Sequence, residues 1–177
     1  MPFLRKATDT PYGFRPYGEV LRCSSYQVDA GAAALYPGDL VILEADGALA
    51  IGTASAVNMV GSAAIYNPAS TAHTAFLVYD HPDQRFHAQD DGAVGIMTAT
   101  SLGSRCAIVA TAGSTTTFQS QQEIDSSSAS TTATEPVSIH ALHPVEQGSH
   151  ATTTGQQRRW ICSLNNQLWS GYQQAGI

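Results

Sequence analysis

No stretch of this chain sustains the three-to-four-residue apolar spacing of an amphipathic helix; short apolar runs recur instead, each cut off by Gly, Pro, Asn or Asp. That punctuation directs the fold to short antiparallel strands in a sandwich or barrel. The runs are LVILE (Leu40–Glu44), ALAIG (Ala48–Gly52), MVGSAAIY (Met59–Tyr66), AFLVYD (Ala75–Asp80), RFHAQD (Arg85–Asp90), RCAIVAT (Arg105–Thr111), VSIHAL (Val137–Leu142) and RWICSLN (Arg159–Asn165). Pro37-Gly38-Asp39 reads as a turn, and Asp46-Gly47 carries the signal of a two-residue hairpin. The best helical candidate, Ala88 to Ser101, is broken by Gly92 and Gly95 and is allowed one turn.

The first segment is different. Pro2, Pro11, Pro16, Gly13 and Gly18 deny it a helix or a central strand, while Phe3, Leu4, Tyr12, Phe14 and Tyr17 supply apolar anchors. It reads as an extended arm whose aromatics need a surface, either this domain's own or a neighbour's. Residues 1–22 carry four cations against two acids, a charge of +2, whereas residues 23–157 carry only Arg85 and Arg105 against twelve acids, a charge of −10. An arm of opposite charge to its body suits contact between subunits.

The fold expected is all-β: an antiparallel β-sandwich or barrel with a small β-hairpin region and an extended N-terminal arm. Residues 1–22 form the arm, residues 23–68 a small β-hairpin or barrel region, and residues 69–177 the main sandwich or barrel. The Ser/Thr-rich stretch 113–135 lies within the last of these. Its sequence, nearly all small polar residues punctuated by Phe118 and Ile124, is open to three readings: disorder, a long hairpin, or a loop ordered by a partner.

The net charge of −6 argues against a nucleic-acid footprint. No apolar run approaches the length of a bilayer span and the opening residues lack a signal peptide's apolar core, so no membrane partner and a cytosolic site of synthesis are expected. Cys23, Cys106 and Cys162 are too widely spaced for a disulfide framework or a metal knuckle, and the latter two read as buried thiols. A chain with one lysine, Lys6, and seven arginines keeps the cation that works at interfaces. Trp160 and Trp169 read as core anchors.

The densest polar cluster runs from Tyr79 to Gly92, with Asp80, His81, Asp83, His87, Asp90 and Asp91. A metal would want ligands converging from such positions, but His81 and His87 have the wrong spacing for a helical pair and Pro82 excludes that helix. A solvated turn is the plainer reading. His140 and His143 fall on opposite faces of one strand. The motifs of a nucleophile elbow, a phosphate loop and a dinucleotide fingerprint are absent from the sequence, so no catalytic, metal or cofactor residue is assigned.

LVYDHPDQRFHAQDDG resembles the DDP…FEVQ.DG strand pair of tailed-phage capsid-associated proteins, with Asp80, Pro82, Phe86, Gln89, Asp91 and Gly92 at matching places. AGSTTTFQSQQEIDSSSASTTATEPVSIHAL and ICSLNNQLW resemble that group's later strings, and YPGDLVILEADGALAIGTAS resembles the opening β-unit of phage head decoration proteins. The resemblance covers residues 76–169. Phe118 stands where the pattern has Gly, Glu135 where it has an apolar residue, and Gln167 where it has His.

The resemblance implies a bacteriophage capsid cement, or decoration, protein. Such a protein is a virion subunit on the outer surface of the head, assembled in the host cytoplasm. It is not an enzyme, needs no cofactor, and is often a homotrimer that clamps neighbouring capsomers of the major capsid protein. The contact residues expected for capsid or sister subunit are Phe3, Arg5, Lys6, Tyr12, Phe14, Arg15, Tyr17 and Arg22, with the Ser/Thr-rich stretch contributing. The rival readings are a head fibre or receptor-binding spike, separable by copy number per virion, and a small metal-dependent hydrolase using His81, His87 and Asp91.

Overall fold

A computed structural model describes residues 9–69, 72–93, 97–131, 134–144 and 157–170. The elements, in chain order, are strands β1 (Arg15–Pro16), β2 (Cys23–Val28), β3 (Leu40–Leu43), β4 (Leu49–Ile51), β5 (Met59–Ala63), β6 (Thr74–Tyr79), β7 (Phe86–Gln89), β8 (Arg105–Cys106), β9 (Ile108–Val109), β10 (Glu123–Ile124), β11 (Val137–Leu142) and β12 (Arg159–Leu164). Two single 3-10 turns, Ala99–Ser101 and Ser126–Ser128, lie between strands. The fold is all-β, as the punctuation requires.

Five strands close a barrel in the order β2-β4-β3-β5-β6, and five form a sheet in the order β1-β7-β12-β11-β8, while β9 and β10 pair separately. All neighbours are antiparallel except β2 and β4, which meet through the one parallel pair Val28 and Leu49. The barrel needs β6, so it extends to Tyr79, past the boundary at residue 68 that composition suggests. The run at Arg105–Thr111 is two strands. Arg105 pairs with β11 and with Ser130, and after Ala107, whose N–H donates to Ser128 Oγ (2.8 Å), the chain changes sheet to pair with β10.

The β3–β4 hairpin is a three-residue loop. Gly47 donates to Glu44 O (3.0 Å) and Glu44 donates to Ala48 O (2.9 Å), with Gly47 at φ 85. A two-residue Asp46-Gly47 turn would need positive φ at Asp46 as well; a type I turn followed by a left-handed glycine asks it of Gly47 alone.

Strand alternation divides the apolar residues between two cores. Val41 on β3 and Val60 on β5 point into the barrel, beside Val28, Leu35, Leu49, Phe76 and Val78. Their neighbours Leu40 and Met59 point out of it and join Phe86, Ile139, Trp160 and Cys162 from the five-stranded sheet. The second core therefore cements barrel to sheet, and Phe14, with none of its surface exposed, is part of it. At Gly61 the barrel closes so tightly that a Cβ would lie 2.0 Å from Tyr79 O.

Candidate functional site

The expected contact residues lie on a strap, residues 9–22, laid over the body. Phe14 is fully buried and donates its N–H to Gly38 O (2.8 Å). It has no surface left for a capsid or a sister subunit, because the aromatic that anchors a Pro/Gly-rich segment to its own core cannot also face outward. Arg15 and Pro16 pair with His87 and Phe86, and Tyr17 donates to Arg85 O (2.8 Å). Pro16, between these bonds, turns its donorless nitrogen to the outer side and blunts the sheet edge. Arg22 places Nε 2.9 Å from Asp80 Oδ1 and its terminal nitrogen on Asp80 O at the same distance. Phe3, Arg5 and Lys6 lie outside the described residues.

Four rings gather where the strap crosses β7. The Tyr12 hydroxyl is 2.9 Å from His87 Nδ1, with ring centroids 5.3 Å apart. His87 lies 5.4 Å from His143, which follows β11, and Tyr17 closes the group at 5.6 Å from His143 and 6.4 Å from His87. Burial, then the charges of His143, Arg159 and Arg15, push the His87 imidazole down to about 4, so it is neutral at pH 7. Burial also lowers Arg15 from its ordinary value. Next along β7, the Gln89 amide donates to Asp9 Oδ1 and to Glu123 Oε1, each at 3.1 Å. Burial, followed by the Asp9 charge, pushes Glu123 up to about 7.

Asp80, Asp90 and Asp91 of the Tyr79–Gly92 cluster diverge, each tying distant parts of the chain together. Asp80 accepts from Arg22 and from the Tyr26 hydroxyl (2.6 Å), while its carbonyl accepts from Gln167 Nε2 (2.6 Å). Its burial opposes ionisation, but the bonds from Arg22, Tyr26 and Ser24 outweigh it and hold the carboxyl below its ordinary value. Burial, helped by Asp80, raises Tyr26 to about 12. Asp90 is buried and accepts from Trp160 Nε1 (2.8 Å) and Arg158 N (3.0 Å); Asp91 Oδ1 accepts from Ser126 Oγ (2.6 Å) and N (3.0 Å). His81 accepts from Asp83 N within its own turn. His81, His87 and Asp91 thus serve separate contacts, and among the described residues no three His, Cys, Asp or Glu side chains gather as a metal would need. His140 contacts Ser163 Oγ (2.7 Å), away from His143, and a register shift between Ile139 and Ala141 lies at this point of β11.

Cys106 and Cys162 are buried, and burial pushes Cys106 up to about 12, so neither is a nucleophile at neutral pH; Cys23 is exposed. The described part of the Ser/Thr-rich stretch is an ordered second strap, residues 113–131. Ser120, Gln122, Ile124 and Ser126 are buried in it. Gln122 accepts from Leu40 N (2.7 Å) and donates to Gly52 O (3.2 Å), pinning the strap to the barrel. Ser130 exchanges backbone bonds with Arg105, which covers the other edge of the five-stranded sheet.

Phe118 stands out from this strap at φ 54, 52% exposed, edge-on to Tyr66 at 5.2 Å, which in turn packs on Tyr36 at 5.1 Å. Trp160 is core, whereas Trp169 is half exposed and donates to the Tyr26 hydroxyl (3.1 Å). His143, Arg159 and Gln122 belong to these assemblies without any local signal: what identifies them is a partner far away in sequence. Among the described residues no helix is long and apolar enough to cross a membrane. Comparison with known proteins finds no matching family model, no matching curated protein and no matching solved structure.

Proposed function

We propose that this chain is a capsid cement, or head decoration, protein of a tailed bacteriophage. It binds the outer surface of the head and stabilises contacts between neighbouring capsomers of the major capsid protein, as a homotrimer. The observation that carries the reading is the strap: Phe14 fixes residues 9–22 to a body of short, bulged and edge-covered strands, so the chain before Asp9, with Phe3, Arg5 and Lys6, joins that body at a fixed point. A tether of this kind pre-orders its own base, which reduces the entropy lost when the remaining residues bind a neighbour.

The sequence resemblance gains support at Phe118, where the pattern has Gly and the backbone here is left-handed. At Gln167, where the pattern has His, the amide donates to Val60 O (3.0 Å) and Asp80 O. The cationic start and the acidic body let the chain engage two surfaces of different charge. Many weak joints of this kind, repeated over a shell, add up to resistance against internal pressure.

Because Phe14 is core, a deletion through Arg22 would damage the fold; the informative cut removes residues 1–8. Full-length protein and the truncated form are each sedimented with purified heads that lack it, and bound protein is measured by densitometry. Full-length protein saturates the heads and the truncated form does not. Equal occupancy would remove the N-terminal residues from the interface, and absence of binding by the full-length protein would sink the cement reading.

A further inference from the structure

The ring cluster on β7 joins three separate pieces of chain: Tyr12 and Tyr17 from the strap, His87 from β7, and His143 from the segment after β11. Upstream of Phe14 the strap's hold includes two side-chain bonds, Tyr12 to His87 and Asp9 to Gln89, both to β7. The pairing at β1 is only two residues long. A segment held this way sits at the low end of the local stability range.

Among the described residues, charged groups approach His87 from several neighbouring elements. Arg15 is its register partner on β1, and Arg159 lies two residues from its partner Ile161 on β12. His143 faces it from beyond β11, while Asp9 from the strap and Glu123 from β10 meet two residues along, at Gln89. With neutral imidazoles the rings pack and the tyrosine bond is made. A proton on each imidazole sets two like charges 5.4 Å apart beside two guanidinium groups.

We propose that Tyr12, His87, His143 and Tyr17 form an acid-opened clasp, which holds residues 9–13 along β7 while the imidazoles are neutral and releases them about the buried Phe14 when they are protonated. The direction follows from linkage. His87 is depressed to about 4 in the closed state against about 6.5 when released, so the closed state is fully favoured above about pH 6.5 and loses ground as pH falls through about 4. Glu123 works the other way, since its proton, bound below about pH 7, eases the repulsion from Asp9.

The test is NMR on the free full-length protein and on Glu123→Gln, reading the heteronuclear NOE of the amides in residues 9–13 together with hydrogen exchange at Ile139 and Ile161. Between pH 8 and pH 4 the heteronuclear NOE of Asp9, Thr10, Tyr12 and Gly13 should fall to that of a released segment, while Ile139 and Ile161 stay protected from exchange. In His87→Asn, whose amide oxygen can replace Nδ1 as acceptor without gaining charge, the fall should vanish. An NMR titration of the His87 ring in the unmodified protein should have its midpoint near 4.

An unchanged strap at pH 4, an equal fall in His87→Asn, a joint loss of protection at Ile139 and Ile161, or a His87 midpoint near 6.5 would each overturn the clasp. The clasp belongs to the free chain, so its failure leaves head binding standing, and failure to bind heads leaves the clasp standing.

Discussion

The two straps, residues 9–22 and residues 113–131, each carry one strand of only two residues, yet they dock by opposite means. The first is anchored by one large apolar side chain and then dressed with titratable contacts: Asp9, the Tyr12–His87 pair, and Arg22 on Asp80. The second is anchored by neutral groups that are buried and hydrogen-bonded, chiefly Ser120, Gln122 and Ser126, with Ile124 as its apolar plug. They touch at Gly13, where a Cβ would lie 2.4 Å from Ser120 Cβ. A low-complexity polar segment can thus belong to a core when each polar atom finds a partner, and an aromatic-rich one can stay responsive to pH when its partners titrate.

The sharpest test of that contrast is removal of each anchor. Phe14→Ala leaves a cavity in the core between barrel and sheet and should cost about 3–5 kcal/mol of stability in chemical denaturation. Gln122→Ala strands the Leu40 N–H and the Gly52 carbonyl and should cost about 2–4 kcal/mol by the same measurement. If Gln122→Ala proved neutral, buried polar bonds would not be what anchors the second strap and the distinction would collapse.

The pH dependence next probes the place where the two straps share a partner, Gln89, between Asp9 and Glu123. Glu123 is raised to about 7, so what it contributes to stability is complete below about pH 4.5 and is lost as pH rises through about 7. Glu123→Gln removes that loss. Melting temperatures measured from pH 4.5 to pH 8 should therefore decline less in the variant than in the parent, and parallel curves would mean that Asp9 and Glu123 do not communicate.

The smallest effect is expected at Phe118. Glycine there relieves the left-handed backbone of a bulky residue but gives up the contact with Tyr66, two terms of about 1 kcal/mol each and opposite sign. Phe118→Gly should shift the denaturation midpoint little, whereas a loss of head binding in that variant would identify the exposed ring as an interface residue.

Much of the strand content is legible in the chain itself. The run at Val137–Leu142 is β11 without change, and those around Leu40, Met59, Ala75 and Phe86 differ from their strands by a few residues at their ends. The two cysteines in apolar runs are buried. Less legible is the site. The sequence marks Tyr12, Phe14, Arg15, Tyr17 and Arg22 as contact residues, but it does not distinguish the one that turns into the core from those that stay at the surface. That choice depends on Gly38, Leu40 and Met59, which receive Phe14 from another part of the chain.

Local chemistry by itself placed most of the strands, because alternation and turn residues act over a few positions. The tertiary structure alone decided which polar residues are buried, that β6 belongs to the barrel, and that both straps fold onto their own body. The Leu40–Gln122 bond spans 82 residues, the Trp160–Asp90 bond 70 and the Tyr12–His87 contact 75. Partners at such separations are chosen by the closed geometry of the whole sheet and barrel, and no window of sequence contains both halves of the choice.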